Sequence, residues 1–315
     1  MKQKYISEIK TGDNIEDFFM IKSFSLKTAS NNKKYCDISL FDKSGEINAK
    51  MWEVPEDYES FTQNKIIKIR GMASEWNGTN QITIVKIRLA VDKDQCQTKD
   101  FLQTAPEASE DMYAFIYQCA EDIQDPELKI LTTEILSTHS DKLSYYPAAM
   151  KNHHAVASGL LYHIKRMLQM AEKMCLVYTN LRKDYLYCGV ILHDIAKLYE
   201  MDANEYGIVK DYTTEGHLLG HIIQGIKLIE KTGEKLEIDR EKILMIEHMI
   251  LSHHNEPEFG SPKRPMFPEA EMLHYLDQID ARIYDMESAL SQTEPGQFSD
   301  KIWTMHNRKL YKSKT

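Results

Sequence analysis

The chain has 315 residues, 42% of them hydrophobic, which is enough to bury a large core, allows two domains and excludes a disordered or fibrous protein. The polar start MKQKYISEIK has no signal-type apolar run, and no later stretch approaches the eighteen or so apolar residues of a membrane span, so the expectation is a soluble cytoplasmic protein without a membrane partner. The net charge of −9 argues at first against a nucleic-acid partner, since phosphate binding usually leaves a basic footprint.

The distribution of charge softens that objection. Residues 1–95 carry 15 Lys+Arg against 14 Asp+Glu, while the other 220 residues carry 24 against 34. All twelve histidines lie between His139 and His306, so the chain has two chemically different parts. Five cysteines (Cys36, Cys96, Cys119, Cys175, Cys188), an odd number without CxxC spacing, read as reduced structural thiols rather than a disulfide framework or a zinc site.

From Asn14 to about Val91 the sequence alternates and is rich in β-branched and aromatic residues, with turns at Asn31-Asn32, Lys43-Ser44-Gly45 and Asn77-Gly78. Five short antiparallel strands in so few residues predict a small closed barrel of the OB type over residues 1–95. Lys33, Lys34, Tyr35, Phe41, Trp52 and Trp76 combine aromatic faces with positive charge, as barrels that hold single strands do. Half of these aromatics could equally be core. Lys33, Lys34, Tyr35 and Trp52 are the nucleic-acid-binding candidates.

After Asp92 the period becomes helical, with a candidate break near Thr104-Ala105-Pro106 and helices from about Ser109 to Leu136, broken or started near Asp125-Pro126. Residues 96–146 form a helical linker on this reading, and residues 147–315 an all-α domain. Val156, Leu160, Leu161, Ile164, Met167, Leu168 and Ala171 form one helical stripe; Leu186, Val190, Ile191 and Ile195 form another; Leu273, Leu276, Ile279 and Ile283 a third. All three are expected to be core.

Polar residues interrupt these stripes. His163 sits in GLLYHIKRML, His193 and Asp194 in CGVILHDIAKL, His217 and His221 in EGHLLGH, His253-His254 in MILSHHNEP, and Asp277 with Asp280 in LHYLDQIDARI. A lone histidine on an apolar face is usually a satisfied core residue. Burying this many imidazoles and carboxylates unpartnered costs roughly several kcal/mol each, whereas a divalent cation makes them ligands, and separate helices of a bundle can bring them to one point.

The order His, His-Asp, distal Asp, over about 115 residues of helix, resembles the HD phosphohydrolase superfamily, as do the strings LLYHI, ILHDIAK, LSHH and LDQIDA. His217 and His253-His254, between the His-Asp pair and the distal Asp, look like those of HD members that hold two metal ions. The resemblance implies ligation by His163, His193, Asp194, His217, His253, His254 and Asp277, with Asp194 and Lys197 catalytic; Lys197 matches the lysine of the HDxxK pattern and would face the substrate phosphate. Over the whole chain, FDKSGEINAKMW and NHHAVASGLLYHI are similar to the barrel and HD opening of the YhaM family of bacterial 3′→5′ exoribonucleases. Ala157-Ser158-Gly159 stands where that family has a Gly-Gly step, and Ala196 where glycine is commoner.

The expected fold is thus a five-stranded OB-type barrel followed by an all-α HD domain. The resemblance implies a metal-dependent 3′→5′ exoribonuclease in RNA processing or decay, with single-stranded RNA as substrate and single-stranded DNA and homo-oligomerisation left open. Two divalent ions are expected; imidazole and carboxylate ligands suit Mn²⁺, Fe²⁺ or Co²⁺ better than Mg²⁺ alone, and the family points to Mn²⁺. The alternatives are an HD phosphodiesterase acting on a small cyclic nucleotide with a regulatory barrel, and a noncatalytic binding protein, which the intact ligand set argues against.

Overall fold

The structure, a computed structural model, describes residues 2–76, 78–96, 100–150 and 154–315. Asn77 of the expected Asn77-Gly78 turn, and Asn152 and His153 of the NHHAVASGLLYHI string, lie outside the described residues. Two compact units divide the chain, Met1–Gln103 and Thr104–Thr315.

In the first unit β1 (Asn14–Thr28), β2 (Lys34–Asp42), β3 (Gly45–Met51), β4 (Ile66–Trp76) and β5 (Thr79–Leu89) close a barrel in the order β1-β2-β3-β5-β4. Alternation drives it: Cys36, Ile38 and Leu40 of β2 and Ile47, Ala49 and Met51 of β3 point inward, joined by Ile67, Ile69, Ile82 and Ile84. The fifteen-residue β1 pairs with β4 through its first half and β2 through its second, bending at a bulge between Ile21 and Ser23. Four of the five pairings are antiparallel, as expected. The fifth, β3 with β5 from Asn48↔Gln81 to Lys50↔Thr83, is parallel, because the turn from β4 into β5 returns the chain along β3 in its own direction.

The second unit is helical: α1 (Ser109–Glu121), α2 (Pro126–Leu143), α3 (Gly159–Val177), α4 (Lys183–Leu192), the single turn α5 (Lys197–Glu200), α6 (Thr214–Lys235), α7 (Arg240–Ser252) and α8 (Pro268–Ser291). A small hairpin, β6 (Met201–Ala203) with β7 (Val209–Tyr212), joins α5 to α6. The Asp125 side chain caps α2 by accepting from the N–H groups of Glu127 and Leu128, with Pro126 at the first helical position. Met112 and Ile116 of α1 and Leu128, Leu131 and Ile135 of α2, within the segment read as a linker, share one core with α3, α4, α7 and α8. Each such fully buried side chain contributes about 1.5–3 kcal/mol.

Two of the apolar stripes hold apart from Val156, which precedes α3, and Ile195, which is buried but lies in the turn after α4. In the third, Leu273 and Leu276 are fully buried, but Ile279 and Ile283 are about two-fifths exposed, because the buried face of α8 beyond Leu276 belongs to Asp277 and Asp280. Ser158, where glycine was expected, adopts φ 61°, a left-handed conformation that costs a non-glycine residue about 1–2 kcal/mol; its hydroxyl donates to the Ser144 carbonyl at 2.6 Å.

Candidate metal centre

Helix ends deliver half of the polar cluster. His193 is the C-cap of α4 and Asp194 follows it into the turn before Lys197 opens α5, while His253 is the C-cap of α7 and His254 follows. His163 and Asp277 come from interior turns of α3 and α8. On α6, a Cβ at Gly216 would stand 2.0 Å from the Glu200 carbonyl oxygen, so only glycine lets the start of α6 press against the end of α5. Gly220, at φ 67° and ψ 170°, then breaks the helix just before His221.

The side chains converge on Asp194. Its Oδ2 lies 3.4 Å from His193 Nε2 and 3.9 Å from His163 Nε2, which is itself 3.3 Å from Asp277 Oδ1. Its Oδ1 lies 3.4 Å from His221 Nε2 and 3.9 Å from His253 Nε2. The ligand atoms of His163, His193 and Asp277 are within 4.8 Å of one another, as are those of His221, His253 and His254. Asp194 therefore turns one oxygen to each of two groups. Donors about 2.1 Å from a shared cation stand roughly 3.0 Å apart at right angles and 3.4 Å at tetrahedral angles, and the shorter of these spacings fall there.

Nε2 of His193, His221 and His253 and Oδ1 of Asp194 are buried without a hydrogen-bond partner among the described residues, which a divalent cation would supply. The opposite ring nitrogens are committed. His193 Nδ1–H donates to the Val190 carbonyl at 2.9 Å and His253 Nδ1–H to the Ile250 carbonyl at 2.7 Å. A carbonyl only accepts, so the neutral rings carry their lone pairs on Nε2, toward the cluster. His163 Nδ1–H donates to Asp280 Oδ2 at 2.8 Å and His221 Nδ1–H to Glu200 Oε1 at 3.1 Å, the carboxylate–histidine pairing that orients metal ligands.

Burial opposes charge on His163, but Asp277 and Asp280 hold its proton up to about 9, a proton that a cation at Nε2 would replace. Burial raises the Asp194 carboxyl, yet Lys197 and His193 outweigh it and hold the group well below the usual range. Burial, reinforced by His254 and His193, keeps His253 neutral far below the usual imidazole value. Lys197 Nζ pairs with Asp194 Oδ2 at 2.7 Å and is almost fully buried, so it sits inside the cluster.

Six of the seven expected ligands, His163, His193, Asp194, His253, His254 and Asp277, are brought together. His217 is not: its ring is more than half exposed, 3.5 Å from Asp211 Oδ1 and edge-on to Tyr212. Residues four apart share the face of an unbroken helix, but the Gly220 break turns His221 inward without His217. Sequence reasoning passed over His221 as a ligand candidate, Glu200 as its orienting partner and Asp280 as that of His163; the glycine directly before His221 was the available signal.

On the barrel, Tyr35 and Trp52 pack with ring centroids 4.9 Å apart, Trp52 being 53% exposed, and Lys33 and Lys34 are exposed beside them in sequence. Strand register explains the pair, since Cys36 lies opposite Met51. Lys50, not among the expected residues, places Nζ 5.8 Å from the Tyr35 ring and 5.9 Å from that of Trp76, which is 63% exposed.

Several solved structures are similar over part of the chain. The second OB-fold domain of replication protein A from Methanococcus maripaludis is 20% identical, covers 28% of this chain and 94% of that one, with a TM-score of 0.23. The S. cerevisiae mitochondrial single-stranded DNA binding protein Rim1 is 15% identical over 26% of this chain and 97% of that one, with a TM-score of 0.21. A replication protein A heterotrimer bound to single-stranded DNA is 14% identical, with a TM-score of 0.23, over 29% of this chain, which spans 66% of the length of that one. Residues 160–282, which contain the whole cluster from His163 to Asp277, match the family model described as HD domain, and the helical unit accordingly carries an HD domain, the fold of a metal-dependent phosphohydrolase superfamily.

Proposed function

We propose that this chain is a metal-dependent phosphodiesterase that shortens single-stranded RNA, and single-stranded DNA, from the 3′ end. The observation that carries the reading is Asp194 with one oxygen toward the His163–His193–Asp277 group and the other toward the His221–His253–His254 group, so that each group would hold a cation with Asp194 common to both. On this reading the first group holds one ion and the second group the other; the mixed imidazole and carboxylate donors suit Mn²⁺, Fe²⁺ or Co²⁺, and the similarity to the YhaM family points to Mn²⁺. Bound there, the ions would acidify a water and screen the charge of a phosphodiester during its displacement.

The chain's own groups set up that chemistry. Asp280 and Glu200 hold the His163 and His221 rings with Nε2 facing the cluster. Lys197 fixes Asp194 and adds a positive charge where phosphate oxygens would lie. Tyr35, Trp52, Lys50 and Trp76, with Lys33 and Lys34, offer the stacking faces and cations that bind single strands with little regard to sequence. The 3′→5′ direction and the preference for RNA rest on the similarity to the YhaM family.

The test is incubation of end-labelled RNA and DNA strands with purified protein and Mn²⁺. A ladder of 3′-shortened products is expected. No cleavage with any divalent ion, or turnover of cyclic dinucleotides in preference to strands, would overturn the reading. Asp194→Asn should abolish hydrolysis, and a variant retaining turnover within about tenfold would remove Asp194 from the centre.

A further inference from the structure

Beyond α8 the chain reverses its chemistry. Residues 296–315 contain Lys301, Arg308, Lys309, Lys312 and Lys314 against the single acid Asp300, in a chain of net charge −9. The segment is ordered as a hook: Phe298 bridges Tyr311 and Ile302 bridges Arg308, both antiparallel, and Ser299 N–H donates to the Leu310 carbonyl at 2.8 Å. Thr304 Oγ1–H donates to Asp285 Oδ2 at 2.7 Å, and Lys312 Nζ to the Thr293 carbonyl at 2.7 Å, which ties the hook to α8 and its end.

Three aromatic rings stand out of this basic segment. Phe298, Trp303 and Tyr311 are 63%, 71% and 52% exposed, and Phe298 and Tyr311 rest on each other with centroids 5.2 Å apart. Between hook and α8 lies an open cleft of about 400 Å³, lined by Tyr284, Asp285, Ser288, Lys301 and Trp303. The cleft is coupled to the metal centre through α8. Tyr284 packs on the His154 ring at 4.0 Å, His154 bonds Asp280 at 2.7 Å, and Asp280 orients His163. Tyr284 is seven residues beyond Asp277, roughly 10 Å along the helix.

We infer that the C-terminal hook is a second binding surface for single-stranded nucleic acid, built into the helical unit itself, which holds the strand beside the metal centre by stacking bases on Trp303 and the Phe298–Tyr311 pair while Lys301 and Lys309 meet phosphates. The inference rests on the phosphodiesterase reading above and names a contact surface for its substrate. Charge complementarity selects the occupant: this is the basic, aromatic part of an otherwise acidic unit, and a polyanion carrying flat bases satisfies both features together. An apolar partner would leave the lysines unmatched.

The test is binding of a fluorescein-labelled oligo-uridine to the full chain carrying Asp194→Asn to prevent turnover. Trp303→Ala should raise Kd by about fivefold or more. Lys301→Ala and Lys309→Ala should each reduce the slope of log Kd against log salt by about 0.7. Tyr178→Ala, which removes a half-exposed ring at the end of α3, should leave Kd unaltered. Melting and sedimentation of each variant accompany the titrations, and Lys301→Glu provides a second readout if Trp303→Ala misfolds. Kd values within twofold of the parent throughout would overturn the inference. So would a Trp303→Ala protein that changes oligomeric state at unaltered Kd, or a hook that binds poly-glutamate as tightly as the strand. Failure of the wild-type protein to cut any strand, with Kd shifting as described, would sink the phosphodiesterase reading and leave the binding surface standing; cleavage with an unmoved Kd would do the reverse.

Discussion

Glu200 accepts twice from His221, from its backbone N–H at 3.0 Å and from its Nδ1–H at 3.1 Å. One carboxylate oxygen thereby fixes both where the helix resumes after Gly220 and which way the imidazole faces. Burial raises the Glu200 carboxyl, but His221 outweighs this and holds it below its ordinary value, so the acceptor is charged. Glu200→Gln keeps the shape and loses the charge. Affinity for Mn²⁺ should fall by about ten- to a hundredfold, as for other partners of ligating histidines, in calorimetric titration. Unaltered affinity would reduce Glu200 to a helix-positioning residue.

His217 and His221 make a paired test of where the second ion binds. His221→Ala should lower bound Mn²⁺ from two per chain toward one, whereas His217→Ala, which removes an exposed ring beside Asp211, should leave the stoichiometry at two. Elemental analysis after gel filtration distinguishes them. The opposite pattern would require α6 to straighten through Gly220.

Removing metal should destabilise the helical unit in particular. Nε2 of His193, His221 and His253 have no hydrogen-bond partner among the described residues, so chelation would leave them unsatisfied beside the buried charge of Asp194, which Lys197 pairs. Ligand linkage gives about 2.7 kcal/mol at a hundredfold excess over Kd, or a fall in Tm of about 5–10 °C for a unit of this size on chelation. The barrel has its own core and no part of the cluster, so its transition should stay in place. Calorimetric scans with and without chelator check this; a helical transition that does not move would mean the cluster holds no ion.

How much of this was legible depended on the range of the interaction. The barrel strands announce themselves because side chains alternate at a period of two, and α3 and α4 because theirs repeat near 3.6. The His-Asp pair and Lys197 are local, so their grouping survives any tertiary arrangement. Which histidine of EGHLLGH faces the cluster was not legible, because one glycine dihedral decides it. The attachment of α1 and α2 to the helical core was equally hidden: an amphipathic stripe shows that a helix packs, not on which neighbour. Lys50 was within reach, two residues before Trp52, which follows directly on β3. The hook beyond Ser291 has neither period, being held by two isolated bridges and side-chain bonds to α8.

The last prediction concerns the barrel surface. Trp52 is 53% exposed and leans on Tyr35 rather than on the barrel interior, so Trp52→Ala should leave Tm within about 1 °C, unlike the loss of a core aromatic at about 3–5 kcal/mol. Base stacking on an exposed ring is worth roughly 1–3 kcal/mol. KM for a long strand should therefore rise about fivefold or more with kcat unaltered, since binding shared by ground state and transition state does not change the chemical step. Tyr35→Ala withdraws the face that Trp52 rests on and should cost a similar factor. The double variant should lose less than the product of the two, because each ring holds the other in its binding orientation. Strand-length-dependent kinetics and melting of the three proteins decide the matter: additive losses would make the rings independent contacts, a lowered Tm would return Trp52 to the fold, and an unchanged KM would remove this face of the barrel from the substrate path.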